Sequence, residues 1–239
     1  MITNRTEKGI MDPRKQHEKA KGARARIMIV DDHPIVRQGL SELINQEKDL
    51  LVCGEAEDAC HTMQVIAKTN PDLVIVDVSL KDRNGVELIK DIKAKYPNLL
   101  ILTLSMHDES LYAERAMRAG AGGYIMKEEA TKNVVTAVRT VLDGNVYLSS
   151  SMAAKMVRKL ISGESGTDNF VVDCLSDREL EIFRLIGDGD GTGRIAEKLH
   201  LSVKTVETHR EHIKQKLGLS DAIELRKCAI RWTSGRGAV

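Results

Sequence analysis

Leu73-Val74-Ile75-Val76-Asp77 is the stretch on which the fold turns. Four apolar residues, three of them β-branched, run without interruption into a carboxylate. Such a run suits a strand covered on both faces, as in a parallel sheet between layers of helix. Sheets of that kind carry their chemistry just beyond the carboxyl ends of their strands, where Asp77 falls. A second run, Ile27-Met28-Ile29-Val30, ends in Asp31 and Asp32. With the two strands as neighbours, three acidic side chains share one crevice. A hard divalent cation with oxygen ligands would relieve their repulsion.

Working outward, apolar runs at 50–53, 99–104 and 123–126 bring the strands to five. Helical spacing fills the gaps between them. Val36, Leu40, Leu43 and Ile44 mark a first helix, and Met63, Val65 and Ile66 a second. Val86, Leu88, Ile89 and Ile92 mark a third, Leu111, Ala113, Ala116 and Met117 a fourth, and Val134, Val135, Val138, Val141 and Leu142 a fifth. Strict alternation predicts an open, doubly wound α/β sheet with right-handed crossovers. At 149–172 the pattern stops. Ser149-Ser150-Ser151 can cap a short helix over 152–161, and residues 162–169, rich in Gly and Ser, read as a flexible linker. From Leu175 onward the periods are all helical, enough for a small four-helix domain. Ser176-Asp177-Arg178-Glu179 matches a capping box, Gly187 to Gly191 form a turn, and Ser202 caps a helix in which Val206, His209, Ile213 and Leu217 recur before Gly218. The predicted division is a basic tail (1–26) without periodicity, an α/β domain (27–148), a linker with a short helix (149–172) and a helical domain (173–239).

A length of 239 residues suits two domains. Aromatics are only 3%, so the cores must be aliphatic. The net charge of +1 conceals +5 in residues 1–26, −6 in 27–148 and +2 in 149–239, so bulk charge alone does not announce a nucleic-acid binder. Met11 offers a second start, and the tail's charge suits weak phosphate attraction. No apolar run is long enough to span a membrane, and the N-terminus lacks a signal core. Four cysteines without C-x-x-C spacing predict buried free thiols in a reducing cytoplasm.

Further residues gather at the same sheet edge. Ser105 follows the fourth strand and offers a hydroxyl, Lys127 follows the fifth and offers a cation, and Tyr124 stands three residues before it. Asp77 is the candidate nucleophile, since carboxylates can form aspartyl phosphates. Through Val30-Asp31-Asp32-His33-Pro34, Val76-Asp77, Leu104-Ser105-Met106-His107-Asp108-Glu109 and Gly123-Tyr124-Ile125-Met126-Lys127, residues 27–147 resemble the receiver domain of two-component response regulators. Residues 175–232 resemble the LuxR-type helix-turn-helix of the NarL/FixJ group. Leu175-Ser176-Asp177-Arg178-Glu179, Ile195-Ala196-Glu197 and Leu201-Ser202-Val203-Lys204-Thr205-Val206-Glu207-Thr208-His209-Arg210 carry that likeness.

The resemblance implies a flavodoxin-like receiver in which a sensor histidine kinase phosphorylates Asp77. It assigns Mg²⁺ to Asp31, Asp32, Asp77 and the backbone carbonyl of Ser79, a switch to Ser105 and Tyr124, and phosphoryl contact to Lys127. It implies a transcription regulator rather than an enzyme, one that can also lose its phosphate by its own hydrolysis. The phosphorylated form is expected to be a homodimer on double-stranded DNA. On the recognition helix, Lys204, Glu207, Thr208 and Glu211 are the base-facing candidates. Arg210, Lys214 and Lys216 suit phosphates, with Thr205 and His209 beside them. Asp190, Gly191 and Arg194 depart from the family pattern, which has an apolar residue, a Ser or Thr cap and an acid at these places. The turn is expected to be looser, with Gly191 or Thr192 as cap and Arg194 as a new phosphate contact.

Two other readings compete. An aspartyl-phosphate phosphatase of the haloacid dehalogenase kind also uses a strand-end Asp with Mg²⁺, but it wants Asp-x-Asp, and Asp77-Val78-Ser79 lacks the second acid. A regulator that binds partners without phosphorylation has no use for the acidic set, Ser105 and Lys127.

Overall fold

The computed structural model describes residues 23–80, 83–106, 109–162, 172 and 174–234. The expected tail up to residue 22 and the expected linker over 163–169 lie outside them.

Five parallel strands form one sheet: β1 (Ala25–Val30), β2 (Leu50–Ala56), β3 (Leu73–Asp77), β4 (Leu100–Ser105) and β5 (Gly123–Met126), in the order β2-β1-β3-β4-β5. The connecting helices are α1 (Pro34–Asn45), α2 (Ala59–Thr69), α3 (Gly85–Lys95), α4 (Glu109–Arg118) and α5 (Lys127–Leu142). Side chains alternate between two cores. Ile27, Ile29, Ile75, Leu102 and Leu104 meet Leu40 and Ile44 of α1 and Val134 and Val138 of α5. Met28, Val30, Val74 and Val76 meet Ile66, Leu88, Ile89 and Ile92 on the opposite face. Each fully buried Ile, Leu or Val contributes about 1.5–3 kcal/mol. Pairing of Val30 with Val76 across β1 and β3 fixes the site, because the next residue of each chain is an aspartate.

Three boundaries differ from those the sequence suggests. β1 begins at Ala25 because Arg26 is held on both sides: its amide donates to Asp72 Oδ2 at 2.7 Å and its guanidinium to the Thr69 carbonyl at 2.6 Å. β2 continues to Ala56 past an irregularity opposite Ile27 and Met28. The helix expected at 152–161 is α6 (Ser150–Ser162), and it packs on α4. Ser149 binds Glu109 of α4 and accepts from the Met152 amide, while Met152 is buried. That start of the expected linker is therefore part of the α/β body. The four cysteines are free, but none is buried: Cys60 and Cys174 are exposed, and Cys53 and Cys228 half-buried. Cys53, Cys60 and Cys228 sit on outward or marginal positions of their elements, and Cys174 lies in the turn ahead of the helix that begins at Asp177.

Four helices follow: α7 (Asp177–Gly187), α8 (Thr192–Lys198), α9 (Val203–Leu217) and α10 (Ala222–Ser234). The capping box is complete, with Glu179 N donating to Ser176 Oγ and Ser176 N to Glu179 Oε2. Leu180, Phe183, Ile186, Ile195, Val206, Ile213, Leu225 and Ala229 form the core. The glycine-rich turn keeps the fold with Gly191 as cap, no side-chain capping bond, and Gly189 at φ +92°. Asp190 does the holding: it is 8% exposed and takes Lys198 at 2.6 Å and Arg194 at 3.4 Å.

Candidate functional site

At the carboxyl edge of the sheet, Asp31, Asp32 and Asp77 are all buried, at 4% exposure or less. With His33 they bring one potential ligand atom each within 4.8 Å of one another. Lys127, the first residue of α5, sits between two of them, with Nζ 2.7 Å from both Asp31 Oδ2 and Asp77 Oδ2. The Ser79 amide donates to Asp77 Oδ1 at 3.2 Å. Ser105, at the end of β4, and Tyr124, inside β5, are both buried. The structure thus gathers Asp31, Asp32, Asp77, Ser79, Ser105 and Lys127 at one sheet edge, with Tyr124 lying deeper, within β5.

Two features were not visible as site residues in the sequence. His33 Nδ1 lies 2.7 Å from Asp32 Oδ1 and 3.2 Å from Asp31 Oδ1; its place directly after the paired acids was the available signal. Gly85 lets α3 start against the strand end: a Cβ there would lie 2.0 Å from the Asp77 carbonyl oxygen. Its amide instead donates to the Val78 carbonyl at 2.7 Å, which fixes the loop around the acid.

Burial pushes the Asp77 carboxyl up to about 6, with the charge of Asp31 adding to it and Lys127 opposing it. Desolvation would lower Lys127, but Asp77 and Asp31 outweigh it and hold the ammonium above its ordinary value. Three buried carboxylates facing one ammonium and one imidazole fit a hard divalent cation, whose ligands are oxygens. The same arrangement offers a nucleophilic carboxylate and a cation for a phosphoryl oxygen.

In the helical domain, Ser202 caps α9 by accepting from the Thr205 amide at 3.0 Å. Lys204, Glu207, Thr208 and Glu211 are exposed on it. Thr205 and Arg210 are half-buried, and Lys214 pairs with Glu211 at 2.9 Å. Lys216 is tied to Glu179 Oε2 at 2.6 Å. His209 is half-buried beside Glu179 of α7, so it is drawn inward from the face that carries the other candidates.

Residues 27–139 match the response regulator receiver domain, and residues 173–229 match the luxR family of bacterial regulatory proteins. The oxygen regulatory protein NreC of Staphylococcus carnosus is 38% identical over 210 residues, spanning 86% of this chain and 97% of that one. NreC of Staphylococcus aureus is 37% identical over 212 residues, with 86% and 97% covered. Among solved structures, the RcsB response regulator of Salmonella typhimurium superposes with a TM-score of 0.59 at 26% identity, over 88% of this chain and 99% of that one. RcsB of the same organism bound to promoter DNA in the presence of the phosphomimetic BeF₃⁻ gives 0.57 at 28%, over 88% and 98%. This chain is a response regulator of the LuxR family. The phosphatase reading finds no support in these matches.

The response regulator's two domains touch beside the acidic crevice. Arg115 of α4 donates to the carbonyls of Val172 and Leu175 at 2.7 and 3.0 Å and to Asp177 Oδ1 at 2.9 Å. Lys90 of α3 takes Asp177 Oδ2 at 2.9 Å. Glu181 of α7, 1% exposed, reaches Ser79 Oγ at 3.5 Å and is held by Arg178 at 2.8 Å. Tyr112 of α4 is fully buried at this junction, and burial pushes its hydroxyl well up, with Glu181 adding to the effect. No local pattern marks this junction, because Arg115 and Lys90 read as ordinary surface charges on their helices and Asp177 as part of a capping box. Among the described residues, no helix is long and apolar enough to cross a membrane.

Proposed function

We propose that Asp77 accepts a phosphoryl group from a sensor histidine kinase and that this charge controls dimerisation and promoter binding through α9. The observation that supports it most is the ammonium of Lys127 lying 2.7 Å from both Asp77 and Asp31 at the end of the central strand. Asp77 attacks phosphorus through a carboxylate oxygen, and the leaving histidine nitrogen takes the bonding pair. Lys127 shifts from the carboxylates onto a phosphoryl oxygen, and Ser105 donates its hydroxyl to another. Asp31, Asp32, Asp77 and the Ser79 carbonyl would hold Mg²⁺, which supplies charge neutralisation when bound. Tyr124 is already buried against the junction, so its part in switching is a repacking beside Tyr112 rather than a swing in from solvent. Slow hydrolysis of the same acyl phosphate returns the resting form.

A phosphoryl group adds roughly −1.5 to −2 charge. Glu181, close to Ser79, would be repelled by it, and the contacts of α7 with the receiver would loosen. The exposed residues of α9 already face solvent in the docked form, so release acts on domain arrangement and pairing of copies rather than on uncovering the helix. Lys204, Glu207, Thr208 and Glu211 then read bases, while Arg210, Lys214, Thr205 and Arg194 contact phosphates. RcsB has been solved as dimers on DNA, and the same assembly is proposed here, in the cytoplasm. The test is sedimentation and DNA binding with and without BeF₃⁻ and Mg²⁺. Wild type should gain dimer and affinity together, and Asp77→Asn should gain neither. An unchanged mass with unchanged affinity in the wild type would overturn the switch.

A further inference from the structure

A second cluster of ligand-forming side chains lies in the DNA-binding domain, away from the acidic crevice. A carboxylate oxygen of Glu179 and one ring nitrogen each from His209 and His212 lie within 4.8 Å of one another. Spacing three apart puts the two imidazoles on one side of α9, and α7 brings the carboxylate against them. Glu179 divides its oxygens. Oε2 accepts from the Ser176 amide at 2.7 Å and from Lys216 at 2.6 Å, while Oε1 stands 4.0 Å from His212 Nδ1. That gap is too long for a hydrogen bond. Two ligands each about 2.0–2.1 Å from a tetrahedral zinc ion are roughly 3.4 Å apart. His212 is half exposed, so a small rotation closes the difference.

His209 gives an independent sign. Its Nδ1 is buried and has no hydrogen-bond partner among the described residues. Buried polar atoms are normally satisfied, and an unmet one points to a missing ligand. The two rings meet edge to face, at 88° with centroids 6.5 Å apart, so they are not stacked on each other.

We propose that Glu179, His209 and His212 bind one Zn²⁺ ion, a two-imidazole, one-carboxylate set with a fourth position left for water. Imidazole suits zinc better than it suits magnesium, so this site is chemically distinct from the receiver crevice. The ion would tie α9 to α7 beside the exposed face that carries Lys204, Glu207, Thr208 and Glu211. Lys216 competes for the same carboxylate, which keeps the affinity moderate.

The test uses the full chain carrying Asp31→Asn and Asp77→Asn, so that the crevice is silenced. Zn²⁺ is titrated against a chromogenic chelator, and the imidazole nitrogens are followed by NMR. One equivalent of Zn²⁺ should bind and shift the ring nitrogens of two histidines. His212→Ala, at a half-exposed position, should weaken that binding at least tenfold. Equal uptake by His212→Ala, or ring signals of His209 and His212 that stay fixed at saturating Zn²⁺, would overturn the site.

Discussion

Replacing Asp77 with Asn should stabilise the metal-free protein. The carboxyl lies in the interior and is displaced from an ordinary 3.8 to about 6, mainly by burial. A folded-state value raised above the unfolded one gives stability that is present below 3.8 and lost as pH rises through about 6. At about 1.4 kcal/mol per tenfold change in proton affinity, the full loss is about 3 kcal/mol. Asn has nearly the same shape and cannot ionise, so Asp77→Asn avoids that loss. In urea unfolding with EDTA at pH 8, the variant should be more stable than wild type by on the order of 1–3 kcal/mol, and by about half as much at pH 5. Mg²⁺ at a hundred times its dissociation constant would return about 2.7 kcal/mol to the wild type and close the gap. A variant less stable than wild type at pH 8, or a gap that does not change between pH 5 and pH 8, would refute the buried-charge reasoning.

Arg115→Ala removes three bonds to α7 and its approach, and should weaken docking by on the order of 1–3 kcal/mol; small-angle scattering should show a larger radius of gyration, and an unchanged radius would count against the docked form in solution. Glu207→Ala should alter base preference at one operator position, whereas Lys214→Ala should weaken all sequences alike; uniform loss from both would contradict the proposed docking in the groove. Glu179 and Asp190 are both held below their ordinary values. Burial raises Glu179, but Lys216 and the Ser176 amide outweigh it, and Lys198 leads for Asp190. Depressed carboxylates add stability that is lost as pH falls, so the helical domain should weaken below about pH 4.5, as circular dichroism of the full chain would show.

The strands and the acid set were legible because burial on both faces writes an unbroken apolar run, and a carboxylate ending that run has few structural excuses. Asp31, Asp32, Asp77, Ser105 and Lys127 all fall at one sheet edge for that reason. Helix α9 was legible from its cap and its period. Neighbouring features escaped. Arg26 looked like tail because its partners, Asp72 and Thr69, are more than forty residues away. Asp177 looked like a capping-box residue, and its pairing with Arg115 and Lys90 is a property of two surfaces brought together. His209 follows the apolar repeat of α9, and its inward position is what local period alone implies; family likeness had placed it with the DNA contacts. The looser turn at Asp190 was expected from its glycines, but the compensating hold of Lys198, eight residues on, was not.

Incubation with Mg²⁺ and a small radiolabelled phosphodonor, followed by peptide mapping, tests the central assignment most directly. Wild type should take up one acid-stable, base-labile phosphate on the peptide containing Asp77, and Asp77→Asn should take up none. Undiminished labelling of the variant, or a label mapped to a peptide outside the crevice, would contradict the account.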